Sequence, residues 1–330
     1  MFKTGLFFLF LLLYSIGAQS NIDVSTSQAE FISLMEKKYG FNTSKLKKLF
    51  EQATVSQSIL DAISKPAEKK LPWYKYRDIF IREKRIQEGV EFREKNLDKL
   101  QQAEKRFGVP AEIITAIIGV ETFYGRNKGN YRVVDALNTL AFYYPKRAAF
   151  FRSELEQFLL LTREQGFDPL SLKGSYAGAM GMPQFISSSY RHYAIDFNND
   201  NVIDIWDNPD DVIGSVANYF VEHGWEKGKP IIAKVSVSGD NYKKVLGGGL
   251  EPDIEVSRLG DLGIITSDKF ESNEKLKLLE YEFKNRNEYW LAHKNFYVIT
   301  RYNHSELYAM AVFQLATEIK KRLTRTANNF

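Results

Sequence analysis

The stretch Ile113-Ile114-Thr115-Ala116-Ile117-Ile118-Gly119-Val120-Glu121 decides how this chain is read. A run without a single charge ends on a carboxylate. At about 100° per residue, Ile114, Ile117 and Ile118 fall on the same helical face as Glu121. The segment is apolar nearly all round, which marks a central buried helix. Val109-Pro110 opens it, with proline suited to a first turn, and Gly125 ends it. An ionised carboxylate is costly to bury, so Glu121 either finds partners or shifts its pKa upward. A carboxyl with a raised pKa at the end of a buried helix is a candidate proton donor. The plainer alternative is a structural acid in a hydrogen-bond network.

Outward from this helix the pattern stays helical. Spacing predicts helices over 29–39, 56–64 and 96–107, with an irregular connection at Pro72-Trp73-Tyr74. Further helices are predicted over 133–142, 147–165 and 210–223, the last capped by Asn208-Pro209 and stopped by Gly224. After Gly228 the period changes to two. Residues 231–237, 276–283 and 295–300 read as strands, separated by turn signals such as Gly247-Gly248-Gly249. Residues 305–323 return to helix, with Leu307, Ala311, Val312, Leu315 and Ile319 apolar. The expected organisation is a signal peptide over 1–20, a helical domain over 21–105, a core over 106–228, a β-rich domain over 229–285 and a return to the core over 286–330.

The 330 residues are 44% hydrophobic and 26% charged, enough for a sizeable core and more than one domain. Aromatics reach 14%; they pack a core, or some of them line a groove where rings stack on sugar faces. A net charge of +4 is too mild and dispersed for a nucleic-acid partner, though it suits an anionic polymer such as a cell wall. The absence of cysteine excludes disulfides, thiol catalysis and thiolate zinc sites. The four histidines, His192, His223, His293 and His304, form no paired metal motif. Lys3, the apolar run 6–14 and Ser15-Ile16-Gly17-Ala18-Gln19-Ser20 read as a secretory signal cut after Ser20. The run is short for a membrane span. The expectation is an exported, periplasmic protein, soluble and without a span once the signal is removed.

Two further motifs carry chemistry. Gly174-Ser175-Tyr176-Ala177-Gly178-Ala179-Met180-Gly181 lets a backbone approach a ligand closely, or else packs helices tightly. No Gly-Lys-Ser/Thr follows, so it is not a phosphate loop. Gln184, just after it, can both donate to and accept from a sugar hydroxyl or N-acetyl group. The second motif spans 196–207. Asp196, Asn198, Asp200, Asp204 and Asp207 stand at the first, third, fifth, ninth and twelfth positions, with the Val202 carbonyl at the seventh. That is the calcium-loop pattern of an EF-hand. Asn201 replaces the turn glycine, and Asp207 replaces the long bidentate glutamate, with Asp211 as the alternative contributor. The expected cofactor is therefore a structural Ca2+. An ion-free Asn/Asp-rich turn is the plainer reading.

Taken together, these motifs resemble a known family. Gly119-Val120-Glu121-Thr122, Tyr124-Gly125, Asp135-Ala136-Leu137, Gly174-Ser175 through Gln184-Phe185, Asn218-Tyr219-Phe220 and residues 295–303 are similar to the membrane-bound lytic murein transglycosylase B family. These enzymes cut peptidoglycan. The resemblance is densest over 109–225 and 289–317. It implies a mainly α (α+β) fold, with a lysozyme-like helical core, a helical N-terminal domain and a small inserted β-rich domain. It makes Glu121 the catalytic acid/base and puts Ser175, Gln184, Tyr219, Tyr302, Asn303 and Tyr308 at glycan-binding positions. A calcium site in the 196–207 loop is also implied. Phe123-Tyr124 departs from the Arg-Trp of the family's best-known member, and the lipoprotein cysteine is missing. The implied substrate is peptidoglycan glycan, cut between N-acetylmuramic acid and N-acetylglucosamine to leave a 1,6-anhydro end. A hydrolytic muramidase of the same fold and a non-catalytic wall-binding scaffold are the alternatives. Ordinary glycosidases use two carboxylates, and no convincing partner acid stands in a motif near Glu121.

Overall fold

The computed structural model describes residues 24–65 and 71–327. The signal reading of 1–20 lies outside them. In chain order the elements are α1 (Val24–Tyr39), α2 (Thr43–Gln52), α3 (Gln57–Ser64), α4 (Trp73–Phe80), α5 (Glu83–Lys95), α6 (Leu97–Phe107) and α7 (Ala111–Thr122). Then come β1 (Tyr131–Arg132), α8 (Val133–Tyr143), α9 (Ala148–Gln165), β2 (Lys173–Gly174), α10 (Ser187–Tyr193) and α11 (Pro209–Glu222). The last part holds β3 (Ile232–Val237), β4 (Ile254–Glu255), β5 (Ile264–Ile265), β6 (Lys275–Glu282), β7 (Asn287–Ala292), α12 (Lys294–Tyr302) and α13 (Glu306–Ala327). The fold is mainly α with a small sheet, as expected.

The described chain divides into two compact units. One holds 71–124 and 216–327, the other 24–65 and 125–215, so the division falls inside α11. In the first unit α7 is the central helix. Ile113, Ile114, Ala116, Ile117 and Ile118 are all buried, and α5, α6 and α13 pack around it. Its two acids meet different fates. Glu112, in the first turn, pairs with Arg93 of α5 at 3.2 Å. Glu121, in the last turn, has no cationic partner among the described residues.

The sheet of the same unit runs β4-β6-β7-β3-β5, antiparallel throughout. Val235, Ile254, Leu259, Leu262, Ile264, Leu276, Leu278 and Leu291 form its own apolar cluster. Trp290 packs edge-on to Phe313 of α13, and Tyr281 Oη donates to the Glu306 carbonyl at 3.2 Å. In the second unit α8 and α9 pack together, and Phe31, Phe50 and Phe142 meet edge to face at 5.9–6.2 Å.

One predicted element is overturned. Residues 295–300 belong to α12, not to a strand. Val298, Ile299 and Thr300 favour a strand locally, but in a helix they bury one side together with Phe296. Asn295 anchors the start: its Oδ1 accepts from Glu226 N, and its Nδ2 donates to the Glu226 and Lys229 carbonyls. Tertiary burial outweighs β-propensity, which spans only about 1 kcal/mol. The last strand is instead β7, whose mixed Asn-Glu-Tyr-Trp sequence hides it, although it sits between β6 and β3. The segment read as irregular after Pro72 is α4. Helices α2 and α5 lie outside the predicted elements, although Leu46, Leu49 and Phe50 of α2 recur at helical spacing and are buried; α5 buries only Ile86, Gly89 and Val90.

Candidate active site

Glu121 is the penultimate residue of α7. Helix C-termini carry partial negative charge, so an ionised carboxylate is disfavoured there. Glu121 is half-buried as a residue, but its carboxyl is enclosed, and burial pushes its pKa up to about 7. Tyr308 acts in the opposite direction. Its hydroxyl donates to Glu121 Oε1 at 2.5 Å and favours the ionised form. Among the described residues no other group, and no second carboxylate, contributes to the shift.

Tyr308 is placed by its helix. Ser305 Oγ accepts from the Tyr308 amide at 3.3 Å, capping the first turn of α13. That leaves the Tyr308 ring buried and aimed at α7. Two more phenols feel the charge of Glu121. Burial first, and then Glu121, raise the pKa values of Tyr76 and Tyr302, so both stay neutral donors. Tyr76 of α4 is the site residue that sequence reasoning missed. Its signal was the Trp73-Tyr74-Tyr76 aromatic cluster, hidden by the irregular reading after Pro72.

Tyr302 ends α12 and Asn303 is its C-cap. The Tyr302 ring lies 4.7 Å from that of Tyr219. The Tyr219 hydroxyl donates to the Arg301 carbonyl at 2.6 Å, and its ring stacks on His223 at 4.0 Å. Glu121, Tyr302 and Tyr308 thus converge, with Tyr219 beside Tyr302.

The exit from α7 is unusual. Phe123 and Tyr124 both adopt left-handed backbone, at φ 53° and 58°, before Gly125 at 85°. The Phe123 and Tyr124 amides close the helix onto the Gly119 and Ile118 carbonyls. Two bulky residues in that region cost of order 1–3 kcal/mol each and persist only when surroundings hold them.

Ser175 and Gln184 belong to the second unit. Ser175 is buried, and its Oγ accepts from the amides of Ala177 and Ala179 at 3.3 and 3.0 Å. Its hydroxyl therefore organises the glycine loop. The glycines serve backbone packing: an added Cβ would sit 2.3 Å from the Ala179 oxygen at Gly174, and 2.3 Å from the Ile205 oxygen at Gly181. Gln184 is held left-handed at φ 53°. Its Nε2 donates to the Lys128 and Gly181 carbonyls at 3.1 and 2.8 Å, while Oε1 is buried with no hydrogen-bond partner among the described residues. Because both neighbours of Nε2 can only accept, the amide orientation is fixed.

The 196–207 loop lies in the same unit. Asn199 and Asn201 are left-handed and curl it inward. Asp196 accepts from the amides of Asp200 and Asn201, Asn198 Oδ1 from Asp200, and Asp200 from Val202. Hydrogen bonds from Asn198 and then Val202 hold Asp200 below its ordinary pKa. Asp204 accepts from Trp206 and Asp207. Buried Asp211 accepts from Phe197 and Asp204 at 2.8 and 2.9 Å. Asp207 is turned away, its Oδ1 paired with Lys128 Nζ at 2.6 Å. These donors are all oxygen, the chemistry that a hard cation takes, and Asp207 alone among the loop's acids is turned to a lysine. Among the described residues, no three acidic or histidine side chains yet close into a cage.

Comparison with known proteins follows the same lines. The family profile described as a transglycosylase SLT domain matches residues 24–317. Membrane-bound lytic murein transglycosylase B of Escherichia coli K12 is 42% identical over 299 residues, covering 88% of this chain and 81% of that protein. The crystal structure of soluble lytic transglycosylase SltB1 from Pseudomonas aeruginosa superposes with a TM-score of 0.87 at 51% identity, covering 90% of this chain and 99% of that one. The Escherichia coli lytic transglycosylase Slt35, solved in complex with calcium, gives a TM-score of 0.83 at 42% identity, over 90% and 93% of the two chains.

Proposed function

This chain belongs to the transglycosylase SLT domain family, and from that premise we propose that Glu121 is the single acid and base of a peptidoglycan lytic transglycosylase. The lysozyme-like, mainly α architecture is that of the family. The observation that carries the assignment is Tyr308 Oη at 2.5 Å from one oxygen of a carboxyl titrating near 7.

The chemistry runs in two proton transfers. With Oε1 accepting from Tyr308, the proton of neutral Glu121 resides on Oε2. It passes to the oxygen bridging N-acetylmuramic acid and N-acetylglucosamine as the C1–O bond breaks. The N-acetyl carbonyl oxygen of the substrate bonds to C1 and holds the cation. Glu121, now a carboxylate stabilised by the Tyr308 hydroxyl, takes the proton from the C6 hydroxyl. O6 then displaces the N-acetyl oxygen at C1 and closes the 1,6-anhydro ring. No water is consumed, and Glu121 ends protonated. The neutral phenols of Tyr76 and Tyr302 suit sugar hydroxyls, and Tyr219 braces Tyr302.

Further assignments rest on the same reading. Gln184 Oε1 accepts a substrate N–H, because a buried, unpaired carbonyl is costly until a donor arrives. Ser175 shapes the glycine loop, and Asn303 closes α12 beside Tyr302. Ca2+ in the 196–211 region would be held by Asp196, Asn198, Asp200, the Val202 carbonyl and Asp204. Asp211 would close the set in place of Asp207, and the ion's contribution is structural. The five-part linear division of the chain and its export to the periplasm are part of this proposal. Among the described residues no helix is long and apolar enough to cross a membrane.

The test is digestion of purified sacculi followed by mass spectrometry. Lytic cleavage gives a muropeptide lighter by one water than its reducing-end counterpart. A reducing-end product would sink the lytic assignment.

A further inference from the structure

We propose that Tyr124 is a positioning residue that fixes the left-handed exit from α7 and so holds the Glu121 carboxyl against Tyr308. The proposal rests on the reading of Glu121 as the acid.

The tyrosine ring is a plug in a slot that only glycine can make. A Cβ on Gly119 would lie 2.5 Å from Tyr124 Cζ and Oη. A Cβ on Gly89 would lie 2.4 Å from Tyr124 Oη and 2.5 Å from Ile319 Cδ1. One wall of the slot is α7 itself, two residues before Glu121. The other is α5, with Ile319 of α13 beside it. The ring stacks on Phe92 at 5.6 Å, and the hydroxyl donates to the Arg85 carbonyl at 2.9 Å. The Arg85 guanidinium lies over the Phe123 ring at 4.8 Å, so both left-handed residues are held by one segment of α5.

This arrangement explains why the chain tolerates two bulky left-handed residues in succession. Without the plug, Phe123 and Tyr124 relax toward ordinary backbone and the last turn of α7 unwinds. Glu121 lies in that turn. Its hydrogen bond to Tyr308 crosses between α7 and α13, so a small rotation of the turn breaks it. Among the described residues Tyr124 makes no hydrogen bond to Glu121, and in this proposal it acts through the backbone.

The experiment compares Tyr124→Asn, Tyr124→Phe and Glu121→Gln on a soluble peptidoglycan oligomer. Asparagine tolerates left-handed backbone, so it removes the ring without adding strain. Displacing a catalytic group by about 1 Å costs on the order of 100-fold. Tyr124→Asn is therefore expected to lower kcat by about that factor, with KM within about twofold. Tyr124→Phe keeps the ring and retains at least about a third of kcat. Activity is counted per folded molecule, so lost stability alone cannot produce the split. If Tyr124→Asn does not fold, Gly119→Ala replaces it: alanine favours helix, but its methyl expels the ring. Wild-type kcat in the variant that folds, with Glu121→Gln inactive, overturns the role of Tyr124 alone. Wild-type activity in Glu121→Gln overturns the assignment of the acid.

Discussion

The Tyr308 hydroxyl, on the first turn of α13, donates to Oε1 of Glu121, on the last turn of α7, across 2.5 Å. This bond tempers a poise that burial sets. Burial holds the proton on Glu121, and Tyr308 partly offsets that by favouring the carboxylate. The proposed role, donating first and accepting second, calls for both influences.

Removing the bond tests that balance. Tyr308→Phe leaves burial alone, so the pKa of Glu121 rises further. The limb of the pH–rate profile in which activity falls with rising pH is expected to move upward from about 7. A hydrogen bond to a charged group contributes about 1.5–3 kcal/mol, so kcat should drop by roughly 10- to 100-fold. A limb that stays in place or moves down contradicts the arrangement.

Glu121→Gln separates function from stability. General acid–base catalysis contributes about 10²–10⁴-fold, and cleavage should fall by at least that range. Stability moves the other way. The folded carboxyl titrates near 7 against an ordinary 4.5, so the folded state binds the proton more tightly. The favourable contribution is complete below about 4.5 and is lost as pH rises through about 7. The gap corresponds to about 3 kcal/mol. Urea unfolding at pH 8 should show Glu121→Gln more stable by up to that amount, and at pH 4 nearly unchanged.

The calcium assignment predicts a thermal shift. A ligand at 100 times its Kd stabilises by about 2.7 kcal/mol. Wild type should gain melting temperature with added Ca2+ and lose it with chelator. Asp200→Ala, which removes a carboxylate at the fifth loop position, should lose most of that response. An equal shift in both proteins would place the ion elsewhere.

The sheet holds a separate test. Lys277 of β6 has a side chain only 1% exposed, paired at 2.9 Å with Asp253, whose side chain is 54% exposed. Asp253→Ala strands the ammonium and should cost about 1–3 kcal/mol. Lys277→Met removes the charge and should be neutral or stabilising. Chemical denaturation distinguishes them, and equal losses in both would contradict the argument.

Much of this protein follows from local sequence. The nearly unbroken apolar period of α7 announces a buried helix, because helical spacing is set between residues three and four apart. The charge at its end is visible for the same reason, as are the oxygen donors spaced along 196–207. Residues 295–300 show where that reasoning stops. Their β-branched side chains favour a strand, and only Asn295 locking to 226–229 and burial beside α13 make a helix. Asp207 fits the ion pattern by spacing, yet its carboxylate turns to Lys128, 79 positions away.

By itself the sequence determined the buried helix and the carboxyl at its end. The tertiary structure alone decided what surrounds that acid. Tyr308 is 187 residues from Glu121, and no local propensity encodes a contact over that separation. Tyr76 comes from a segment whose helix is set by packing rather than by pattern. The raised pKa is likewise a property of enclosure, since desolvation depends on every atom that excludes water and not on the neighbours of Glu121 in the chain.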